Sequence, residues 1–289
     1  MRKTLSLHAE TAPFYKTQTM KRSTVTILFL LIATLSGFAQ TPRHIDKEPI
    51  STAMFQVTYA AQFPGMDTKT DFGFTNTIGG SVIYKTKGNW LFTANGNFVF
   101  GNKVKGDRID ILGEGITTYE GEVIGGGGMV ASLAVFQRGF HFQAEIGKLF
   151  PFKPNPNSGF FVQAGIGYLR NRIRIDYQIE TQNPPYPLMD DYQYGYDRMR
   201  GGFALHGETG YLIMSNNRIY NFSVSLEVTY ARTKPLRDFD FRVFYDENGE
   251  PQIKGYVDKS QRFNDLYYGI RVSWMIPTYQ RQPEEYYYH

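Results

Sequence analysis

Apolar and polar residues alternate along many segments of this chain, and the clearest case lies between Tyr220 and Tyr230. Every second residue there is apolar, the residues between are polar, and an aromatic residue stands at each end. A period of two predicts a β-strand with one apolar and one polar face. The same alternation returns from Tyr268 to Ile276.

The apolar face of such a strand needs a cover, which is either a second protein layer or lipid. In a membrane barrel this face contacts lipid, aromatic residues mark the two interfaces, and the polar face lines the interior. Aromatic residues at the strand ends favour lipid over a soluble sandwich. Because an open sheet edge in lipid leaves backbone groups unpaired, the strands must then close into a barrel.

Eight such segments predict an all-β fold, a transmembrane antiparallel up-and-down β-barrel. The strands are expected at Ala53–Phe63, Phe72–Lys85, Trp90–Phe100, Phe140–Phe150, Phe160–Tyr168, Gly201–Met214, Tyr220–Tyr230 and Tyr268–Ile276. Short turns at Lys87–Asn89, Pro151–Gly159 and Ser215–Arg218 fall at one end, where both termini also lie. Long polar loops fall at the other end, as in outer-membrane barrels with short periplasmic turns and long extracellular loops.

The apolar run Met129–Gln137 is compatible with two topologies. A ninth strand would break the even number that is normal for bacterial single-chain barrels. We therefore place this run in a long extracellular loop that folds over or into the barrel mouth, with the fourth strand beginning at Phe140. In the alternative, the run forms a hairpin with that strand through Arg138 and Gly139.

A second ambiguity follows Tyr168, where Arg170, Arg172 and Arg174 alternate with isoleucines. An arginine that faces lipid near mid-bilayer costs about 2–4 kcal/mol, and the cost falls towards zero at the interface. Either a β-bulge exchanges the two faces, or the strand has left the membrane by Arg170. The second interpretation is preferred.

The N-terminal residues predict export. Lys21 and Arg22 precede the apolar run Val25–Phe38, which is shorter than the roughly 20 residues of a spanning helix. Small residues then fit signal-peptide cleavage near Ala39. The expected organisation is an N-terminal extension and signal peptide at 1–39, a periplasmic lead-in at 40–52, the barrel at 53–277 and a polar tail at 278–289.

Charge and composition exclude several classes of site. The leader holds five of the 31 basic and one of the 27 acidic residues, so the remainder carries 26 of each and predicts no nucleic-acid partner. The chain has no cysteine, which excludes disulfides, thiolate metal sites and a catalytic thiol. No P-loop, GxSxG elbow or HExxH motif occurs, so we expect no catalytic residue, cofactor or metal.

Six chemically distinctive side chains are predicted to face the barrel interior. They are His141, Glu145, His206, Glu208, Glu227 and Arg271. Side chains just fill the lumen of an eight-stranded barrel, so the group predicts a packed, paired interior rather than a pore. Because their strands are neighbours, Glu227 and Arg271 are expected to form a salt bridge.

Aromatic residues predict two further features. Interfacial aromatics are expected at Trp90, Tyr168, Tyr211, Tyr220, Tyr230 and Trp274. A loop contact surface for a partner is expected from Tyr186, Tyr192, Tyr194, Tyr196, Phe239, Phe241 and Tyr245. In the alternative, these loops pack on each other and close the barrel mouth.

Several short motifs resemble an uncharacterised family of Bacteroidetes outer-membrane β-barrel proteins. They are the QRGF run at Gln137–Phe140, GKLFP at Gly147–Pro151, PNPNSG at Pro154–Gly159 and GYDR at Gly195–Arg198. The resemblance implies an outer-membrane barrel, and it transfers no active residue. It is consistent with a structural or accessory subunit of an envelope complex, of secretion or barrel-assembly type, in contact with outer-membrane lipid and other outer-membrane or periplasmic proteins. A narrow channel or ligand-binding barrel, and then an outer-membrane hydrolase, are the alternatives.

Overall fold

The computed structural model describes residues 45, 47–106, 108–125, 128–131, 133–152, 154–177, 190–216, 219–239, 242–253 and 255–278. The predicted signal peptide, the first part of the lead-in and nearly all of the polar tail lie outside these residues. The chain divides into residues 1–41 and 42–289, and the described residues belong to the second unit. In the part of the chain that is described, no helix has the length and apolar character needed to cross a membrane.

Twelve strands and two short α-helices occur among the described residues. The strands are β1 (Thr52–Met66), β2 (Thr75–Lys85), β3 (Trp90–Gly101), β4 (Val123–Ile124), β5 (Val130–Ala131), β6 (Leu133–Pro151), β7 (Gly159–Tyr177), β8 (Arg200–Ile213), β9 (Phe222–Pro235), β10 (Val243–Tyr245), β11 (Pro251–Ile253) and β12 (Phe263–Pro277). The helices are α1 (Thr68–Asp71) and α2 (Arg108–Leu112). The four two- or three-residue strands form two small sheets, β4 with β5 and β10 with β11.

The eight long strands form one closed antiparallel barrel in the order β1-β12-β9-β8-β7-β6-β3-β2. Closure comes from the first and last strands, which pair from Met54 opposite Pro277 to Met66 opposite Asp265. The predicted eight-stranded up-and-down barrel is confirmed. Consecutive barrel strands are neighbours throughout, so the chain makes no crossover.

The outer face of the barrel is apolar and accessible. Val57 on β1, Phe142 on β6 and Leu226 on β9 are 52%, 57% and 61% exposed, and similar residues occupy the outward positions of the other strands. A continuous apolar surface of this kind around a whole barrel is unfavourable in water and stable against hydrocarbon. The fold is therefore a transmembrane β-barrel.

The six predicted interfacial aromatics all have accessible or partly accessible side chains, and they lie towards the ends of the apolar face. Trp90, Tyr211, Tyr220 and Trp274 lie at the short-turn end, and Tyr168 and Tyr230 lie towards the long-loop end. Ten residues separate Tyr220 from Tyr230, or about 33 Å of strand at roughly 3.3 Å per residue. At a tilt of about 40°, this length spans about 25 Å along the barrel axis, which matches the apolar band of membrane barrels.

The prediction for Met129–Gln137 is wrong in part. Leu133–Gln137 belong to β6, which continues without interruption through Arg138 and Gly139, so the alternative hairpin at those residues is also wrong. Val130–Ala131 instead pair with Val123–Ile124. The run is apolar on both faces because the inner face of this part of β6 packs on the loops, which obscures the alternation of a strand.

The arginines after Tyr168 lie on an unbroken strand. β7 pairs residue by residue with β6 from Gly159 to Tyr177, so no bulge exchanges the faces. Arg170, Arg172 and Arg174 are partly or fully exposed, while Ile173 and Ile175 are buried beneath the loops. The preferred interpretation of this segment is confirmed: β7 extends beyond the apolar band.

The loop end is covered by an ordered structure, which we call the loop cap. It comprises the described residues within 67–74, 102–131, 190–199 and 236–262. Phe72, Ile111 and Leu112 from these loops pack against Ile173 and other apolar residues at the end of the barrel. Backbone bonds such as Ile173 N to Asp197 O, at 2.7 Å, tie the loop cap to the strand ends.

The short-turn end is closed by a second apolar cluster, which we call the basal plug. Ile45 and Ile50 of the lead-in pack with inward residues of the barrel strands, including Met54, Leu91 and Phe161. The fully buried amide of Asn157 holds the lead-in: its oxygen accepts from Ile50 N at 3.0 Å and Lys85 Nζ at 2.8 Å. Its nitrogen donates to the carbonyl oxygens of Ile45 and Glu48, at 2.6 and 2.7 Å.

We predict that Asn157→Ala releases the lead-in and destabilises the barrel by about 2–4 kcal/mol, because it leaves the Lys85 ammonium and three backbone groups short of partners. Hydrogen exchange and limited proteolysis at residues 45–51, together with a urea titration in micelles, check this. Asn102→Ala, at an exposed position, is the control and should change neither. Unchanged protection of residues 45–51 in Asn157→Ala would contradict the assignment.

Candidate functional site

The structure brings the six predicted interior residues together in one layer between the basal plug and the loop cap. All six are nearly inaccessible, with exposures between 3% and 7%. They come from four strands: His141 and Glu145 from β6, His206 and Glu208 from β8, Glu227 from β9 and Arg271 from β12. The layer therefore spans a large part of the barrel wall.

One half of the layer centres on Arg271. Its Nε donates to Glu227 Oε2 at 2.5 Å, which confirms the predicted salt bridge. Its Nη1 lies 3.7 Å from Glu208 Oε2. Gln62 donates to the second oxygen of Glu227 at 2.5 Å, and Ser225 donates to Glu208 Oε1 at 2.6 Å.

The other half centres on His206. Its Nδ1 lies 2.9 Å from Thr229 Oγ1, at hydrogen-bond distance. Its Nε2 faces two carboxylates, 3.7 Å from Glu145 Oε1 and 3.9 Å from Glu208 Oε2, and has no hydrogen-bond partner among the described residues. The His141 ring lies beside it, with 5.8 Å between ring centroids.

Glu145 is held by its neighbours through one oxygen. Asn95 Nδ2 and Gln143 Nε2 donate to Glu145 Oε1 at 2.6 and 2.7 Å. Oε2 of the same carboxylate is buried and has no partner in the described part of the chain. The two amides therefore fix the plane of a carboxylate whose second oxygen stays available.

Gly165 allows residues of two non-adjacent strands to meet. It stands on β7 opposite both Glu145 of β6 and His206 of β8. A Cβ at this position would lie 2.2 Å from Ala144 O and 2.6 Å from the Glu145 side chain. The absent side chain leaves the space across β7 in which the carboxylate and the imidazole approach each other.

The layer is electrostatically unbalanced. It holds the carboxylates of Glu145, Glu208 and Glu227 against the single guanidinium of Arg271, which gives a formal charge of −2 when His141 and His206 are neutral. The other charged residues that face the interior, such as Lys85 and Arg200, lie towards the barrel ends. Buried charge of this kind is stable only when it is paired or coordinated.

Sequence reasoning missed a second polar group near the loop end. Arg200 Nη2 lies 2.8 Å from Asp71 Oδ2 and 3.5 Å from Asp265 Oδ1. The buried hydroxyl of Tyr267 accepts from Gln137 Nε2 at 2.9 Å and Asn171 Nδ2 at 2.7 Å. The alternation of inward and outward positions could have identified these residues. Several of them, however, lie on strand extensions that the sequence analysis assigned to loops.

The predicted loop contact surface is only partly accessible. Tyr196 and Phe239 are buried in the loop cap and stabilise its packing. Their assignment to the contact surface is therefore wrong. Tyr194 stacks under the Arg237 guanidinium, 4.0 Å from its ring centroid, and Tyr245 is 48% exposed. Tyr186, Phe241 and the side chain of Tyr192 lie outside the described residues.

A small groove of about 220 Å³ lies where β7 emerges beside the loop cap. Arg172, Arg174, Gln193, Tyr194 and Asp197 line it. Burial raises the pKa of the Asp197 carboxyl, and the hydrogen bond from Arg237 opposes this shift. The groove therefore offers cationic and hydrogen-bonding groups next to solvent, unlike the enclosed interior layer.

Comparisons with known proteins find only distant similarity to solved structures. No protein-family model and no curated protein matches the chain. Among solved structures, Ail of Yersinia pestis in complex with the heparin analogue sucrose octasulfate is 9% identical, with TM-score 0.36, over 78% of this chain and 99% of that one. OprG of Pseudomonas aeruginosa is 14% identical, with TM-score 0.35, over 81% and 99%. Neisserial surface protein A is 14% identical, with TM-score 0.32, over 76% and 96%.

We predict that Arg271→Met destabilises the barrel by about 3–5 kcal/mol, because it leaves Glu227 and Glu208 buried without their cation. Urea titration in micelles, followed by tryptophan fluorescence, measures the change. The control is Arg174→Met, which breaks an exposed pair with Asp176 and should cost no more than about 1 kcal/mol. Equal effects of the two substitutions would show that the interior pair contributes no more to the free energy of unfolding than the exposed one.

Proposed function

We propose that this chain is an integral outer-membrane barrel that conducts no solutes and acts as a structural or accessory subunit, with its loop cap in contact with another envelope component. The observation that carries the proposal is closure at both ends, by the basal plug and by the loop cap. A barrel closed in this way is suited to presenting a surface rather than to transport.

The interior supports a role without transport. Between the two ends, inward side chains of non-adjacent strands bond to one another inside the barrel, as Gln62 does to Glu227 and Thr58 to Asn97 at 3.0 Å. A wet pathway would require these groups to bind water instead of each other. The buried position of His206 and Glu208 also denies access to a substrate, which argues against the hydrolase alternative.

Two short β-hairpins of the loop cap carry accessible apolar side chains. The β4–β5 hairpin exposes Ile124, Met129 and Val130, and the β10–β11 hairpin exposes Tyr245 and Ile253. The backbone N–H of Tyr245 also bonds to Glu114 Oε2 at 3.0 Å, which ties that hairpin to the rest of the loop cap. Apolar groups held on an ordered surface favour protein contact, because less conformational entropy is lost on binding.

The orientation in the membrane follows from the two ends. Short turns and the lead-in face the periplasm, and the loop cap faces the exterior, as outer-membrane barrels are arranged. Outward arginines at 138, 170, 172 and 174 then lie just outside the apolar band, where anionic groups of outer-leaflet lipid can pair with them. A Bacteroidetes origin and signal-peptide cleavage near Ala39 complete this proposal.

The groove beside β7 supports a second candidate function, the binding of a small polar ligand. Arg172 and Arg174 line it together with Asp176 and Asp197, Arg174 is paired with Asp176 at 2.7 Å, and Tyr194 adds an aromatic ring. This candidate leaves the closed interior unchanged. It is compatible with a contact role for the loop cap, because the groove lies at its edge.

We expect the purified barrel to give no unitary conductance in planar bilayers, because both ends are packed. Deletion of the lead-in through Ile50 should give no conductance either, because the remaining inward apolar residues, the interior side chains and the loop cap still fill the barrel. A porin measured in the same bilayers shows that the assay detects a pore. Discrete current steps from the intact chain would contradict a closed barrel.

For the contact role, we expect a stoichiometric partner in native complexes extracted from outer membranes. Tyr245→Ser with Ile253→Ser should release that partner at least tenfold more readily, because accessible apolar area is lost, while heat-modifiable migration stays normal. Lys259→Ser, at an exposed polar position of the same segment, is the matched control. Recovery of the barrel as a single species, or equal retention by all variants, would contradict the proposal.

A further inference from the structure

We propose that the interior layer is a site for one divalent transition-metal ion of the zinc class, bound by Glu145, His206 and Glu208. Each of these side chains offers one ligand atom, and the three atoms lie within 4.8 Å of one another. One imidazole nitrogen with two carboxylate oxygens is a donor set that suits zinc and its neighbours. The site does not depend on the proposed contact role of the loop cap.

The distances are close to those of a coordinated ion. Zinc lies about 2.0–2.2 Å from nitrogen and oxygen ligands, which places tetrahedral ligands about 3.3–3.6 Å apart. His206 Nε2 is 3.7 Å from Glu145 Oε1 and 3.9 Å from Glu208 Oε2. These two separations exceed the tetrahedral range by a few tenths of an ångström, and all three donor atoms lie within 4.8 Å of one another, so rotation of the two carboxylates has to bring them onto the ion.

The unpartnered atoms point to a missing positive group. His206 Nε2 and Glu145 Oε2 are buried and lack hydrogen-bond partners among the described residues. When Nδ1 carries the proton and donates it to Thr229 Oγ1, Nε2 presents a lone pair to two carboxylates. A lone pair that faces two anions is repulsive, and a cation between them converts the arrangement into an attractive one.

The surroundings orient the ligands as metal sites require. Thr229 fixes the His206 ring through Nδ1, Asn95 and Gln143 fix Glu145, and Ser225 fixes Glu208. Outer groups of this kind set the tautomer and orientation of metal ligands. The donor set is these three side chains, and His141 lies outside it, with its ring centroid 5.8 Å from that of His206.

The formal charge of the layer matches one divalent ion. Three carboxylates and one guanidinium leave −2 in the layer, and one divalent cation neutralises it. Protonation of His206 alone would leave −1 in an enclosed space. The spacing of the ligands in sequence carried no metal motif, because they come from β6 and β8 and meet only across Gly165.

The test is to unfold the purified full-length chain in urea and refold it into micelles with zinc, with cobalt or with a chelator. Refolding in the presence of metal avoids any barrier to entry through the closed ends. After gel filtration, we expect one equivalent of zinc by elemental analysis, a tetrahedral cobalt absorption band, and a higher unfolding temperature than with chelator. Absence of all three would overturn the proposal.

Variants separate ligands from neighbours. His206→Gln and Glu208→Gln should lose the bound equivalent, whereas Glu227→Gln, a buried carboxylate of the same layer outside the donor set, should retain it at saturating zinc. Thr229→Val keeps all three ligands and should weaken zinc affinity about 10–100-fold through loss of ring orientation. Circular dichroism and heat-modifiable migration confirm folding of each variant. Equal zinc binding by Thr229→Val, or retention by His206→Gln, would contradict the assignment.

Discussion

An eight-stranded barrel has an interior just wide enough for side chains, so each polar group that points inward must find its partner there. This constraint governs the whole molecule. Lys85 is satisfied by Asn157 and a backbone carbonyl, Glu227 by Gln62 and Arg271, and Tyr267 by Gln137 and Asn171. Pairing is incomplete at several buried atoms, among them His206 Nε2 and Glu145 Oε2, and it is the convergence of the His206, Glu145 and Glu208 donors that supports the proposed metal site.

The two closed ends follow from the same requirement. Hydrogen bonds between the polar side chains inside a narrow barrel are strongest when water does not compete for them. Ile45 and Ile50 cover the layer from one side, and the apolar core of the loop cap covers it from the other. Because both ends are closed, solutes and partners cannot reach the interior. The surfaces that can interact therefore lie on the loop cap and at the groove beside β7.

The membrane and the loop cap divide the long strands between them. β6 and β7 run 19 residues each, well beyond the apolar band. The outer half of β7 exposes arginines and buries Ile173 and Ile175 under the loops. The same strand therefore faces lipid over one half and packs in a protein core over the other. This change of environment at constant parity misled the sequence interpretation of Met129–Gln137, because both faces of that segment are apolar.

Alternation of period two was sufficient to predict eight strands, their inward and outward faces and the contact of Glu227 with Arg271, since these depend on local pattern and on neighbouring strands. The strand extensions, the basal plug and the burial of Tyr196 and Phe239 were decided by tertiary packing, because loop residues carry no such period. The approach of Glu145 to His206 was also decided by the tertiary structure. It depends on the register of three strands and on the absent side chain of Gly165, and a single register shift would separate the two residues.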